Sequence, residues 1–225
     1  MTWFSIASVA IALFIPAALC VFSLRYPPGW VYESPVFPKW KQLNIISLAL
    51  SSLLIVATKI MYSAYSDEYA LMAMLAIGTM SFIAIQTFAT DFTLRLADRR
   101  VLRIANLVAA SSGLWFLITY TDETMVLLYM LFFLVFSAFF FVPKIGASDV
   151  RALQLVTLAG VPVLGLQGFQ IGFILVAVAV IAYGVVVSLR TNGNLSGMLT
   201  KLSTPLVPLI ITPFALMVLI YPLFS

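Results

Sequence analysis

Long runs of apolar residues, separated by short polar segments, follow one another along the whole chain. Runs such as "LNIISLALSSLLIVA" are apolar on every face, whereas the strands of a membrane barrel alternate apolar and polar positions. Each run is about 17 to 23 residues long, and about 20 residues of helix cross a hydrocarbon core of about 30 Å. The pattern therefore predicts an all-α, polytopic integral membrane protein.

The limits of the apolar runs predict about eight transmembrane helices. We place them at residues 2–24, 43–65, 69–90, 103–120, 124–142, 150–166, 169–189 and 204–224. The loop between the first two spans, "RYPPGWVYESPVFPKWKQ", is rich in proline and aromatic residues. It is interpreted as an anchor at the membrane interface, with a substrate site as the alternative.

Composition narrows the classes of function. Hydrophobic residues make up 63% of the chain and the mean hydropathy is +1.13, which excludes a soluble protein and leaves the lipid bilayer as a partner. We expect no nucleic acid partner. The single cysteine, Cys20, excludes an intramolecular disulfide, and the chain has no histidine, so we expect neither a metal site nor a cofactor.

The basic residues predict the orientation in the membrane, because cytoplasmic loops carry an excess of Lys and Arg. Eight spans place every Lys and Arg except Lys59 on one side, which is therefore predicted to be cytoplasmic in a cell membrane, with both termini outside. The opposite side receives two acidic pairs, Asp67 with Glu68 and Asp122 with Glu123.

Two of the remaining acidic residues occupy unusual positions. Asp91 follows the apolar run that ends at Thr90, and Asp149 opens the sixth span. An odd-numbered span runs inward and an even-numbered span runs outward, so both carboxylates are expected at the same cytoplasmic depth. Ionisable residues at such positions are costly and indicate a functional site.

Two neighbouring aspartates can perform acid and base catalysis together. Both cannot ionise cheaply when they are close, so the pair shares a proton. One carboxylate then activates a water while the protonated partner donates to the carbonyl of a peptide bond, which is the chemistry of aspartic proteases. Gly146 permits a tight turn or a close backbone approach beside Asp149.

These segments resemble those of a known family. "KIGASDVRAL" resembles the GxGD-Val-Lys segment of the type IV prepilin and preflagellin peptidases, and "TDFTLRLADRRVL" resembles their first motif. The resemblance implies catalytic roles for Asp91 and Asp149, with Gly146, Ala147, Ser148 and Arg151 as supporting motif residues. It also implies a six-helix peptidase core at 67–225, preceded by two additional helices at 1–66 with the Pro-rich loop between them.

The resemblance further implies a substrate. Members of this family cleave a short basic leader, usually ending in Gly, from pilin-like precursors in which a hydrophobic helix follows. The present chain has no segment like the four-cysteine zinc loop of the longer bacterial members, so methylation of the product is not implied. The identity of the precursor and the oligomeric state are left open.

Several alternatives remain at this stage. Ser148 replaces the second motif Gly, either as a tolerated small residue or as a hydroxyl donor to Asp149. Asp98 is an alternative first aspartate, although it is expected to be solvated among arginines. Asp149 could serve simply as a helix cap, and Arg151 could tune the pair. A signal peptide peptidase relative, a catalytically lapsed paralogue or a small transporter would also use aspartates within a membrane.

Overall fold

The computed structural model describes residues 3–32, 39–94, 97–121, 123–142, 146–190 and 206–224. These residues form helices and short turns, with no strand among them. The helices are α1 (Trp3–Arg25), α2 (Gly29–Tyr32), α3 (Trp40–Met61), α4 (Asp67–Leu94), α5 (Arg99–Tyr120), α6 (Glu123–Ala138), α7 (Ala147–Arg190) and α8 (Leu206–Ile220). Short 3-10 turns, Phe139–Phe141 and Tyr221–Leu223, follow α6 and α8.

The prediction of an all-α, multi-pass membrane protein is confirmed, with one correction to the number of helices. Within the described ranges, seven helices are long and apolar enough to cross a membrane: α1 and α3 to α8. The predicted sixth and seventh spans both lie in α7, which has 44 residues. A straight helix of that length would measure about 66 Å, about twice the thickness of the hydrocarbon core.

Helix α7 reverses direction instead of running straight. Gly165 has φ 60° and ψ −170°, a conformation that is essentially restricted to glycine. A Cβ placed on Gly160 would lie 3.5 Å from Cδ1 of Phe214, and one on Gly172 would lie 2.4 Å from Cε1 of the same ring. In a straight helix these two glycines would be about 18 Å apart. The segments predicted as the sixth and seventh spans therefore fold back on one another within one assigned helix, at a single residue rather than at a loop.

Helix α4 forms the centre of the bundle. It contacts α1, α3, α5, α7 and α8, and its apolar stretch is almost entirely buried. Side chains buried along it include Met72, Met80, Phe82 and Ile83. A helix that is apolar on every face is suited to this central position, because it presents no polar face that would need water.

Two tyrosines near one end of the bundle satisfy backbone carbonyls at irregular points of other helices. The hydroxyl of Tyr62 donates to the carbonyl of Val218 at 2.6 Å. That carbonyl cannot receive its usual helical donor, because the residue four positions on is Pro222, which has no N–H. The Tyr69 hydroxyl donates to the carbonyl of Val163, two residues before the break in α7. Such replacement donors are needed wherever a helix is interrupted inside a membrane.

A buried polar network joins the two N-terminal helices to α4 nearer its other end. The Gln86 Nε2 atom donates to Ser23 Oγ and to Asn44 Oδ1, both at 2.9 Å. Trp40 Nε1 donates to the carbonyl of Ser23 at 3.3 Å. All of these side chains are buried. The predicted division at residue 66 is therefore not a gap in the packing, since residues from both parts share these hydrogen bonds.

The turn at Gly165 can be tested with a matched pair of glycines in α7. Neither Gly165 nor Gly184 has an atom within 4 Å of the position that a Cβ would occupy, but Gly165 alone of the described glycines has a positive φ. We expect Gly165→Ala to lower the free energy of unfolding by about 1 to 3 kcal/mol because of backbone strain. Gly184→Ala should leave it unchanged or raise it by up to about 1 kcal/mol.

Unfolding of the purified protein in mixed micelles, followed by circular dichroism, measures both effects. Equal stability of the two variants would contradict the proposed turn.

Candidate active site

The two predicted catalytic aspartates lie at helix ends on the same side of the bundle. Asp149 is in the first turn of α7. Asp91 is in the last turn of α4, which continues to Leu94 and therefore beyond the predicted end of the third span at residue 90. Asp91 is 6% exposed, whereas Asp149 is partly exposed. We refer to this side, where α4 ends and α7 begins, as the aspartate end.

Asp91 and Asp149 are close enough for their charges to interact. Each carboxylate therefore makes ionisation of the other less favourable, which is the condition for a pair that shares a proton. Arg99, at the start of α5, also lies within range of Asp149 and acts on it with the opposite sign. The site thus draws its charged groups from three helices: α4, α5 and α7.

The carboxylate of Asp149 is fixed by the turn that precedes it. Gly146 is the residue before α7, and its N–H donates to the Asp149 carboxylate. In return, the Asp149 N–H donates to the carbonyl of Gly146 at 2.9 Å. The Asp149 side chain thus makes the half of a capping box in which an acidic residue at the third helical position accepts the N-cap N–H. A Cβ on Gly146 would lie 2.7 Å from Asp149 Oδ2, so any other residue at this position would displace the Asp149 carboxylate.

The motif residues that follow Gly146 do not bind the Asp149 carboxylate, although they are its neighbours in sequence. Among the described residues, the Ser148 hydroxyl forms no hydrogen bond with Asp149, which favours the steric interpretation of this serine. Arg151 is two positions after Asp149, which places it on the opposite face of the helix. Its guanidinium lies over the ring of Phe140, 5.7 Å from the ring centroid. Ala147 is the first residue of α7.

Asp98 was expected to be solvated, and this expectation is wrong. The residue is 4% exposed and caps the N-terminus of α5, where its Oδ1 accepts from the N–H of Arg100 at 2.9 Å. The Arg100 guanidinium lies 3.5 Å from the same oxygen and donates to the carbonyl of Tyr26 at 2.8 Å. Asp98 is thus a structural cap that holds α5 in register beside the site.

Sequence reasoning missed two polar contributors to this end. Arg99 was placed in a cluster that determines topology, but it is the arginine whose charge acts on Asp149. Asn106 was not identified, and its Nδ2 donates to the carbonyl of Arg151 at 3.1 Å, joining α5 to the first turns of α7. The spacing of Arg99, Arg103 and Asn106, which places them on one helical face, is the signal that could have found both. Arg95, another basic residue of the predicted cytoplasmic side, lies outside the described residues.

In comparisons with known proteins, no family model, no curated protein and no solved structure matches this chain. The arrangement of the described residues is therefore the main basis for assigning a function.

The capping role of Asp98 predicts a difference between two substitutions. Asparagine caps helices about as well as aspartate, so Asp98→Asn should change the free energy of unfolding little. Asp98→Ala removes the acceptor for the Arg100 N–H and should cost about 1 kcal/mol. Thermal unfolding of both variants in detergent provides the measurement. Equal destabilisation by the two substitutions would show that the charge of Asp98, rather than its capping bond, matters.

Proposed function

We propose that this protein is a membrane-embedded aspartic endopeptidase that removes the short leader from pilin-like precursors. The observation that carries the proposal is the convergence of two carboxylates, Asp91 from α4 and Asp149 from α7, at one end of the bundle. The resemblance of "KIGASDVRAL" and "TDFTLRLADRRVL" to the prepilin peptidase motifs points to the same two residues. Aspartates so placed are costly in a membrane and are characteristic of function.

The helix ends suggest how the pair divides its roles. Burial and the charge of Asp91 disfavour a negative charge on Asp149, whereas the positive end of α7, the Gly146 N–H and Arg99 favour one. Asp91 lies at the C-terminal end of α4, where the helix dipole disfavours a negative charge. From the directions of the two helix dipoles, we assign the general base to Asp149 and the general acid to Asp91.

The reaction then follows in two steps. Asp149 takes a proton from a water, whose oxygen adds to the carbonyl carbon of the scissile peptide bond while Asp91 donates its proton to the carbonyl oxygen. The tetrahedral intermediate collapses when the C–N bond breaks, and the nitrogen receives the proton held by Asp149. Asp91 recovers its proton from the intermediate, and the products are a carboxylic acid and an amine.

The distribution of basic residues indicates how the protein is oriented in the membrane. The aspartate end carries Arg25, Arg99, Arg100, Arg103 and Arg151, whereas Lys59 is at the opposite end, where it pairs with Asp67 at 2.6 Å. Because basic residues are retained on the cytoplasmic side, we place the active site at the cytoplasmic face of the cell membrane, with both termini outside. There the leader of a precursor would meet the aspartates while its hydrophobic helix stays in the bilayer.

The aspartate pair predicts a clear result from amide substitution. Asp91→Asn and Asp149→Asn should each abolish cleavage, because a pair that shares a proton cannot work with one carboxylate removed. Asp98→Asn is the matched control and should retain most activity, since asparagine preserves the cap. The assay incubates purified protein with a pilin precursor in detergent and follows leader release by mass spectrometry.

Two outcomes would contradict the assignment. If Asp98→Asn is inactive while Asp91→Asn cleaves, the first catalytic aspartate is Asp98. If the unaltered protein cleaves none of several precursors although it is folded, a lapsed paralogue or a transporter explains the aspartates better.

The turn before α7 predicts opposite effects at its two small residues. Gly146→Ala should reduce cleavage strongly, because its Cβ would displace the Asp149 carboxylate from a contact of 2.7 Å. Ser148→Gly should preserve both the rate and the pH optimum, since the serine hydroxyl does not bind Asp149. The pH–rate profiles of both variants test this. An upward shift of the optimum in Ser148→Gly would show instead that the hydroxyl donates to Asp149 during the reaction.

A further inference from the structure

Three arginines lie together beside the aspartate pair. Arg99 and Arg103 are four positions apart on α5, so they lie on one face of the helix, and both are exposed. Asn106 continues this face and donates to the backbone carbonyl of Arg151, which fixes it against the first turns of α7. Arg151 accordingly experiences the positive charges of Arg103 and Arg99. We call Arg99, Arg103 and Arg151 the arginine triad.

The triad carries more positive charge than its described neighbours neutralise. Within the described ranges, ion pairs join Lys59 to Asp67 and Arg100 to Asp98, and none involves the triad. An aspartate pair that shares a proton supplies one negative charge next to Arg99. Of the three arginines, only Arg99 acts on Asp149, so the charges of Arg103 and Arg151 are left to attract another anion.

Two buried atoms of the same region also need partners. Nη1 of Arg151 is inaccessible to solvent and forms no hydrogen bond, although its guanidinium packs on Phe140. Oδ1 of Asn106 is buried and without a donor. A buried charged donor without a partner is costly, and a phosphate oxygen is a strong acceptor for arginine. A ligand that presents both phosphate oxygens and a hydroxyl would pair with both atoms once the two side chains turn toward it.

The surroundings of the triad favour a lipid over a free ion. Leu107, four positions after Arg103 on α5, is 71% exposed, and Phe141, next to Phe140, is 90% exposed. These exposed apolar side chains lie beside the arginines and offer acyl chains a surface. We infer that the arginine triad binds the phosphate of an anionic phospholipid, whose acyl chains lie along Leu107 and Phe141.

This inference adds a partner whose binding does not depend on the proposed peptidase activity. Where that activity holds, the bound anion would have a further effect. A basic leader is repelled by the excess positive charge of the aspartate end, and a lipid phosphate on the triad reduces that repulsion. Activity in anionic membranes should then exceed activity in neutral ones.

Binding is tested on the full-length protein in zwitterionic detergent by thermal unfolding during titration with phosphatidylglycerol. Arg103→Gln removes one phosphate-binding arginine and should weaken the apparent affinity about fivefold. The double variant Arg103→Gln/Arg151→Gln removes two and should weaken it about 25-fold. Arg100→Gln is the matched control: it removes the same charge from the same helix, but its guanidinium is already bound to Tyr26 and Asp98. Arg103→Lys, which keeps the charge, should retain most of the affinity.

Each outcome decides the inference, whether or not cleavage is ever observed. Stabilisation by phosphatidylglycerol but not by phosphatidylcholine, with an apparent affinity that is weakened in Arg103→Gln and unchanged in Arg100→Gln, supports the lipid site. Equal stabilisation by inorganic phosphate would overturn the assignment to a lipid. Equal loss of affinity in Arg100→Gln would show a general charge effect and overturn the site itself, as would a failure of phosphatidylglycerol to stabilise the unaltered protein.

Discussion

Backbone carbonyls inside a membrane must find donors within the protein, and this constraint shapes the bundle around α4. The chain interrupts its helices at Gly165 in α7 and at Pro222 after α8. At both places a tyrosine near the junction of α3 and α4 supplies a donor: Tyr69 to Val163 and Tyr62 to Val218. The interruptions and the tyrosines depend on one another, because a reversal without a replacement donor would leave a carbonyl exposed to hydrocarbon.

These bonds and the polar network at Gln86 hold α4 near both of its ends. Hydrogen bonds between membrane helices contribute about 0.6 to 2 kcal/mol each, so their value here lies more in fixing register than in stability. Tyr69 sets the position of α4 against the reversal of α7, and Gln86 sets it against α1 and α3. Asp91, at the end of α4, is thereby placed relative to Asp149 by contacts spread over the whole helix.

Hydropathy was sufficient to predict the helices, because an apolar run of the right length has few alternatives in a membrane. It could not show that Gly165 joins two spans within one assigned helix, since a single residue with positive φ leaves no polar loop in the sequence. The burial of Asp98 was missed because a charged residue between arginines looks solvated, whereas its capping role depends on where α5 begins. Gln86 and Asn44 are polar residues within apolar runs, but the sequence does not show that they bind one another, because they belong to helices distant along the chain.

The position of the candidate pair could be predicted from helix direction, but the surroundings of each carboxylate could not. Arg151 was considered as a residue that could tune the pair, yet residues two positions apart on a helix lie on opposite faces. Arg99, fifty positions earlier, is the arginine that acts on Asp149. The local sequence therefore identified the motif around Asp149, but it did not show which charged residues surround the carboxylate.

The reversal at Gly165 also fixes how far Asp149 lies from the turn in α7. Sixteen residues separate it from Asp149, which corresponds to about 24 Å of helix, most of the hydrocarbon thickness. Tyr69 and Phe214 hold the reversal in place. The depth and the direction of the Asp149 carboxylate are therefore set by the number of residues between Asp149 and Gly165. One residue inserted between Asp149 and Gly165 would turn the Asp149 carboxylate by about 100° around the helix axis and move it by about 1.5 Å. The carboxylate would then point away from Asp91, although neither Asp149 nor Gly165 had been changed.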